Sequence, residues 1–191
     1  MAANLSIGPG IAYDGYPVPL FGPNLLSYAQ SSLEDGTVAG WANNGNCTPS
    51  NSTAAAFDGT HCLAMTSVAA GNMSAFCGGA PLPLLHPIIP GYPMTVSAWV
   101  MAATVARTIT LTCLWYDKTP AFLAQNPVVT FPTAETTTGW NQVIASFNPP
   151  PAAILNGFCA APMVTAAATA GAGEVHYVDL VTLQVGIFYS L

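Results

Sequence analysis

Glu34 and Asp35 stand side by side in this 191-residue chain and are its only adjacent carboxylates. Glycosidic acid–base chemistry needs two carboxyl groups flanking one bond, but sequence neighbours on an extended chain point apart. The three histidines, His61, His86 and His176, are scattered, and His86 lies within the proline run PLPLLHPIIP. Five cysteines, Cys47, Cys62, Cys77, Cys113 and Cys159, show no C-x-x-C spacing, so a zinc site is not expected. Their odd number leaves at least one thiol free or paired between chains; buried thiols and one or two disulfides both remain open. Nothing in the spacing sets a cysteine against a histidine as an activated nucleophile. The chain also lacks a G-x-S-x-G elbow, a P-loop and a G-x-G-x-x-G turn. Catalysis is therefore not expected.

Binding chemistry is the other possibility. Sugar recognition needs exposed aromatic rings with amides or acids nearby, and the stock is Trp41, Trp99, Trp115, Trp140 and Tyr116. Trp115 shares strand parity with Leu111 and Cys113, which assigns it to the core. Trp41 and Trp140 each follow a glycine at a strand start, where they would seal the end of a β-structure. No exposed cluster is legible, so the residues of a carbohydrate site stay unassigned.

Composition narrows the partners. Charged residues make up 5% of the chain, against roughly 25% in ordinary domains, and the net charge is −6 with two basic residues. Nucleic acid, which needs a basic footprint, is excluded as a partner. A surface with so little charge suits a protein held among permanent neighbours. Mean hydropathy is +0.47, yet membrane insertion is not expected. The uncharged stretch 59–106 is interrupted by Pro81, Pro83, Pro87, Pro90 and Pro93, whereas a spanning helix needs about 20 apolar residues in a run. The opening MAANLSIGPG has no basic and apolar regions of a secretory signal, so the expected site of synthesis and assembly is a cytoplasm.

These side chains must be positioned by strands. Seventeen glycines and 17 prolines punctuate the chain and disfavour long helices. Strands are expected at NLLSYA (24–29), VAGWA (38–42), 61–68, 72–78, 94–102, 107–117, NPVVTF (126–131), 139–147, AAILNGFCA (152–160) and 175–188. In 107–117, Ile109, Leu111, Cys113 and Trp115 share the core face, and Thr108, Thr110 and Thr112 are assigned to the outer one. NNGNCTPSNST (43–53) and TAAATAGAGE (165–174) read as loops. The spacing predicts an all-β antiparallel sandwich over residues 24–191. Residues 1–23 form a separate Pro/Gly/aromatic segment with no room for a regular element. It is either a loose leader or an extended assembly arm docking through Tyr13, Tyr16 and Phe21. Asp179 is the oddity, an acid between Val178 and Leu180 in an apolar strand. It either lies exposed on an edge, caps a turn by accepting backbone N–H groups, or holds a cation.

Five segments, NLLSYAQSSLEDGTVAGWA, FDGTHCLAMTS, PGYPMTVSAWVMAATVARTITLTCLWYD, TTTGWNQVIASFNPP and GEVHYVDLVTL, occur in that order over about residues 24–184. In this the chain resembles the carbohydrate-binding-module-like jelly rolls, and more narrowly the domains of actinobacteriophage minor tail proteins. The resemblance implies a galactose-binding-like jelly roll and a structural virion protein, a minor tail or decoration subunit assembled in the host cytoplasm. It implies other phage structural proteins and further copies of the chain as partners, and host-surface glycan as a contact. The alternative it carries is a glycan-binding attachment module. It also implies a structural Ca²⁺ held by Glu34, the His61 carbonyl and Asp179, as hard oxygen ligands suit that ion. This chain departs from the usual Y-V-D-D ending, with Leu180 in place of the second acid.

Overall fold

A computed structural model describes residues 23–78, 92–117, 121–125, 135–150 and 159–186, with short strand pieces at 12–13, 16–17, 86–87 and 129–130. The elements are β1 (Ala12–Tyr13), β2 (Tyr16–Pro17), α1 (Tyr28–Ser32), β3 (Trp41–Gly45), β4 (Cys47–Ser52), β5 (Cys62–Ser67) and β6 (Gly71–Cys77). They continue as β7 (His86–Pro87), β8 (Met94–Ala102), β9 (Ile109–Tyr116), β10 (Phe122–Gln125) and β11 (Val129–Thr130), then β12 (Asn141–Phe147), β13 (Cys159–Thr169) and β14 (Val175–Val185). One sheet has the order β10-β9-β13-β6-β3, with β11 beside β9 and β7 beside β13; the other runs β12-β8-β14-β5-β4. Every described pairing is antiparallel. The two sheets face each other as the expected sandwich.

Alternation builds the core. Val96, Ala98 and Val100 of β8 point inward, as do Ile109, Leu111, Cys113 and Trp115 of β9, Met73 and Ala75 of β6, and Val178 and Leu183 of β14. Trp115 is fully buried, as its parity requires. The threonine face of β9 departs from expectation: Thr110 and Thr112 are buried as well. In register they lie opposite Thr165 and Met163 of β13, and Leu114, Ala161 and Met163 form a second cluster on that outer face with Phe76 and Tyr116 packed on it. Threonine serves here as a strand former that tolerates burial, not as a marker of solvent.

Polar sequence is misread in two places. The Asn/Ser stretch 43–53, expected as a loop, forms most of β3 and all of β4. Each is the last strand of its sheet, and an edge strand needs neither continuous burial nor a donor at every residue, so Pro49 is accommodated. The segment 165–174, also expected as a loop, continues β13 as far as Thr169. A register shift between Ala166 and Thr169 absorbs it, and Asn72 accepts the Ala168 N–H.

NLLSYA is not a strand. Ser27 opens α1 with a capping box: its hydroxyl accepts from Gln30 N at 3.2 Å, and Gln30 Oε1 accepts from Ser27 N at 2.8 Å. In the N-terminal segment β1 and β2 pair as a minimal hairpin, contrary to the expectation of no regular element. The rest of residues 1–22, and the side chains of Tyr13, Tyr16 and Phe21, lie outside the described residues.

Cys47, Cys62, Cys77 and Cys113 are buried free thiols. Burial pushes Cys47 up to about 11 and Cys62 and Cys77 up to about 12, so these sulfurs are inert hydrophobic fillers at neutral pH. The Cys159 side chain lies outside the described residues.

Candidate functional site

The loop 57–61, between β4 and β5, is held by two carboxylates from opposite ends of the chain. Asp179 reaches it from a bulge in β14, where the register against β8 shifts between Asp179 and Thr182 and Leu180 takes φ 42°. Residues around α1 fill that bulge: Ser31 Oγ donates to the Val181 carbonyl at 2.7 Å, and Asn24 bridges the Val181 carbonyl and the Leu183 N–H. Asp179 is thereby fully buried. Its Oδ2 accepts from Phe57 N at 2.8 Å and Asp58 N at 3.1 Å, and its Oδ1 from Leu180 N at 2.7 Å. Burial raises its pKa, outweighing those N–H donors, and the nearby Glu34 charge adds to the rise.

Glu34 follows the left-handed C-cap residue Leu33 and takes the other half of the loop. Its Oε1 accepts from His61 N at 2.7 Å and Thr60 N at 2.9 Å, and its Oε2 from the Thr60 hydroxyl at 3.1 Å. The backbone N–H of His61 and then that of Thr60 lower its pKa. A Cβ on Gly59, at φ +70°, would lie 2.5 Å from the Glu34 carboxyl carbon, so only glycine fits. Asn51 braces the far side, donating to the carbonyls of Leu33 and Thr37 and meeting the His61 ring.

The structure thus brings Glu34, the His61 backbone and Asp179 to one loop, and Asp179 acts there as an acceptor of backbone N–H groups. Asp35 turns away to cap Thr37, so the adjacent acids diverge. Suitability for Ca²⁺ turns on lone pairs. Asp179 Oδ2 and Glu34 Oε1 each accept two N–H groups, whereas Asp179 Oδ1 and Glu34 Oε2 each accept one donor and keep a lone pair. Two carboxylates of hard oxygen fit the ion's chemistry. Among the described residues no three His, Cys, Asp or Glu side chains converge as a metal group, so backbone carbonyls would have to complete the shell.

The held loop presents Phe57. Its ring stacks on Trp99 with centroids 3.8 Å apart and planes 11° apart, and Trp140 stands at 69° with its centroid 6.2 Å away. Trp99 projects from the outer face of β8, opposite Asp179 on one side and Gln142 on the other. Phe57 remains 40% exposed, and Asp58 and Gln142 are exposed beside it. Sequence reading found both tryptophans but missed Phe57, whose lone place in FDGTH carries no periodicity. Trp41, by contrast, is buried and donates from Nε1 to the Gln30 carbonyl. A smaller aromatic pair, Tyr116 and Phe122, lies at the β10 edge with centroids 5.8 Å apart.

A third constellation was invisible in the sequence. The His176 ring nitrogens face Glu135 Oε1 and Glu174 Oε1, and Arg107 grips Glu174 through Nε at 2.6 Å and Nη2 at 3.0 Å. His176 and Glu135 are sealed from solvent, and Arg107, the partly exposed member, is engaged with Glu174. The His86 side chain lies outside the described residues.

No protein-family model matches the chain, and no curated protein matches it. Solved structures do. The CBM22-1 xylan-binding domain from Paenibacillus barcinonensis Xyn10C is similar at a TM-score of 0.60 and 14% identity, over 88% of this chain and 97% of that domain. The C-terminal family 22 carbohydrate-binding module of Clostridium thermocellum Xyn10B matches at 0.56 and 15%, over 84% of this chain and 94% of that one. The enzymatically active domain of bacteriophage CBA120 tailspike protein 4 matches at 0.56 and 13%, over 85% of this chain but 21% of its own. At such identities the likeness establishes architecture: the chain has the antiparallel β-sandwich fold of carbohydrate-binding modules.

Proposed function

We propose that this protein is a non-catalytic glycan-binding module. The observation that carries the reading is the exposed stack of Phe57 on Trp99 beside Trp140, set on a rigid loop at the surface of the sandwich. Aromatic faces are the general means of holding the apolar face of a sugar, and the similar domains include one that binds xylan. A Ca²⁺ ion sharing Asp179 Oδ1 and Glu34 Oε2 would belong to this module as a structural element that stiffens the loop.

Affinity electrophoresis against soluble xylan, β-glucan and β-galactan tests the reading. Retardation by at least one polysaccharide is expected, and Phe57→Ala should abolish it, whereas Phe122→Ala should not. Wild-type protein that migrates unretarded in all three would sink the proposal.

A second reading, a subunit of a phage particle carrying such a module, is favoured by the five ordered segments that resemble actinobacteriophage minor tail proteins. Similarity to a tailspike domain lends it modest support. Mass spectrometry of purified particles should then detect this chain. Particles that lack it leave the module without a virion role.

A further inference from the structure

The aromatic cluster restricts what kind of glycan fits. One face of Phe57 is occupied by Trp99, and Trp140 is inclined at 69° to it, so neither tryptophan extends the Phe57 plane into a longer floor. What the cluster offers is a single six-membered ring, about the size of one pyranose. A long glycan lying along a binding face needs successive platforms, and this cluster supplies one. Its rim is polar: Asp58 follows Phe57, and Gln142 stands opposite Trp99. Neither side chain makes a hydrogen bond among the described residues, so both are available to sugar hydroxyls.

Charge narrows the choice again. Asp58, Glu34 and Asp179 all belong to the loop or to its anchors. The chain has two basic residues. Arg107 is committed to Glu174 in the network at the other constellation, and Lys118 lies outside the described residues. An anionic sugar placed on Phe57 would meet carboxylates with no described cation to pair with it. The loop is also fixed before any ligand arrives, by four backbone N–H bonds to Glu34 and Asp179. Little ordering is left for binding to impose, which suits a site with few contacts.

We propose that Phe57, backed by Trp99 and rimmed by Asp58 and Gln142, is a one-ring subsite for an uncharged sugar. This rests on the glycan-binding reading above. Recognition is of a single pyranose unit, so affinity does not grow with the length of the glycan.

Titration calorimetry with neutral β-1,4-linked xylo-, gluco- and galacto-oligosaccharides of two, four and six units, and with polygalacturonate, tests it on the full chain. In the series that binds, affinities are expected to agree within about threefold across lengths, and Phe57→Ala should weaken binding by roughly tenfold or more, about 1.4 kcal/mol. Polygalacturonate should give no heat. Phe57 is exposed, so the variant should keep the wild-type melting temperature, and Gln142→Ala should weaken binding without altering the fold. Affinity that climbs roughly tenfold from two to six units, or binding of polygalacturonate, overturns the one-ring neutral subsite while the module reading stands. Binding that survives Phe57→Ala and is lost in Phe122→Ala moves the site to the β10 edge and overturns it equally. Failure of every neutral series and of the soluble polysaccharides removes the glycan-binding reading itself, and the subsite with it.

Discussion

Replacing Glu135 by alanine is expected to lower the melting temperature by roughly 6–20 °C, the equivalent of about 3–5 kcal/mol in a domain of this size. The reason is the position of Glu135 in a buried chain of charges. Its Oε1 receives both the His176 Nδ1 side and the Arg107 backbone N–H, while its own N–H donates to the Arg107 carbonyl. Glu174 takes the other His176 nitrogen and the Arg107 guanidinium. Both imidazole nitrogens therefore point at carboxylates. Arg107 precedes β9, Glu174 immediately precedes β14 and His176 is among its first paired residues, and the neighbouring Thr136 carbonyl accepts from Ala102 at the end of β8. The network staples three parts of one end of the sandwich. Removing Glu135 leaves His176 facing a void at full burial, the case in which a buried polar network costs most. Glu135→Gln keeps the volume and should fall between wild type and alanine. Calorimetric melting of Glu135→Ala within about 2 °C of wild type would show that the network is not structural.

Acid should act on the same end. The Arg107 guanidinium holds Glu174 at about 2, below its ordinary 4.5. A carboxylate depressed by folding contributes stability that is fully present above the unfolded value and is lost as pH falls through the folded one. The contribution therefore fades between pH 4.5 and about 2. With Arg107→Met that dependence should flatten, since Glu174 then has less to lose on protonation.

Much of the sandwich is legible because its strands alternate. β8, β9 and β14 announce themselves by parity, and Trp115 follows from Leu111 and Cys113 two and four residues before it. The edges are not legible in that way. β3 and β4 are built from Asn, Ser, Gly and Pro, because a strand with one neighbour is not required to look like a buried one. The helix α1 was signalled by Ser27 and Gln30, whose S-x-x-Q spacing outweighs the apolar pair Leu25–Leu26 before it. The candidate site divides in the same manner. Asp179 is conspicuous by its apolar flanks, and Trp99 and Trp140 by their rarity. Phe57 is inconspicuous, since what places it in the candidate site is a partner 42 positions away, counted from 57 to 99. Glu135 has no local signal at all. A composition this poor in charge is itself the clue: Arg107, Glu34, Glu135, Glu174 and Asp179 all tie together segments distant in sequence, where a richer chain would spread charges over a solvated surface.

Replacing Asp179 by alanine should cost both stability and ligand binding, and the pairing of those losses is the diagnostic. Three backbone N–H groups, those of Phe57, Asp58 and Leu180, lose their acceptor. With part of that deficit made good by water entering the exposed end of the loop, the expected cost is about 2–4 kcal/mol. Phe57 then loses the anchor that sets it against Trp99, so affinity for the neutral glycan should fall with it. Phe57→Ala, by comparison, should lose affinity and keep stability. Gly59→Ala should mimic the Asp179 variant from the other side, because its Cβ must displace the Glu34 carboxylate. The same variants separate the two ways of holding the loop. If Ca²⁺ takes the lone pairs left on Asp179 Oδ1 and Glu34 Oε2, a chelator should lower the melting temperature of the wild type and leave Asp179→Ala unchanged. If wild-type melting is identical in calcium and in chelator, the N–H groups of residues 57, 58, 60 and 61 hold the loop without an ion. An Asp179→Ala protein that melts and binds like the wild type would mean that the carboxylates follow the loop instead of fixing it, and Phe57 would owe its place to Trp99 alone.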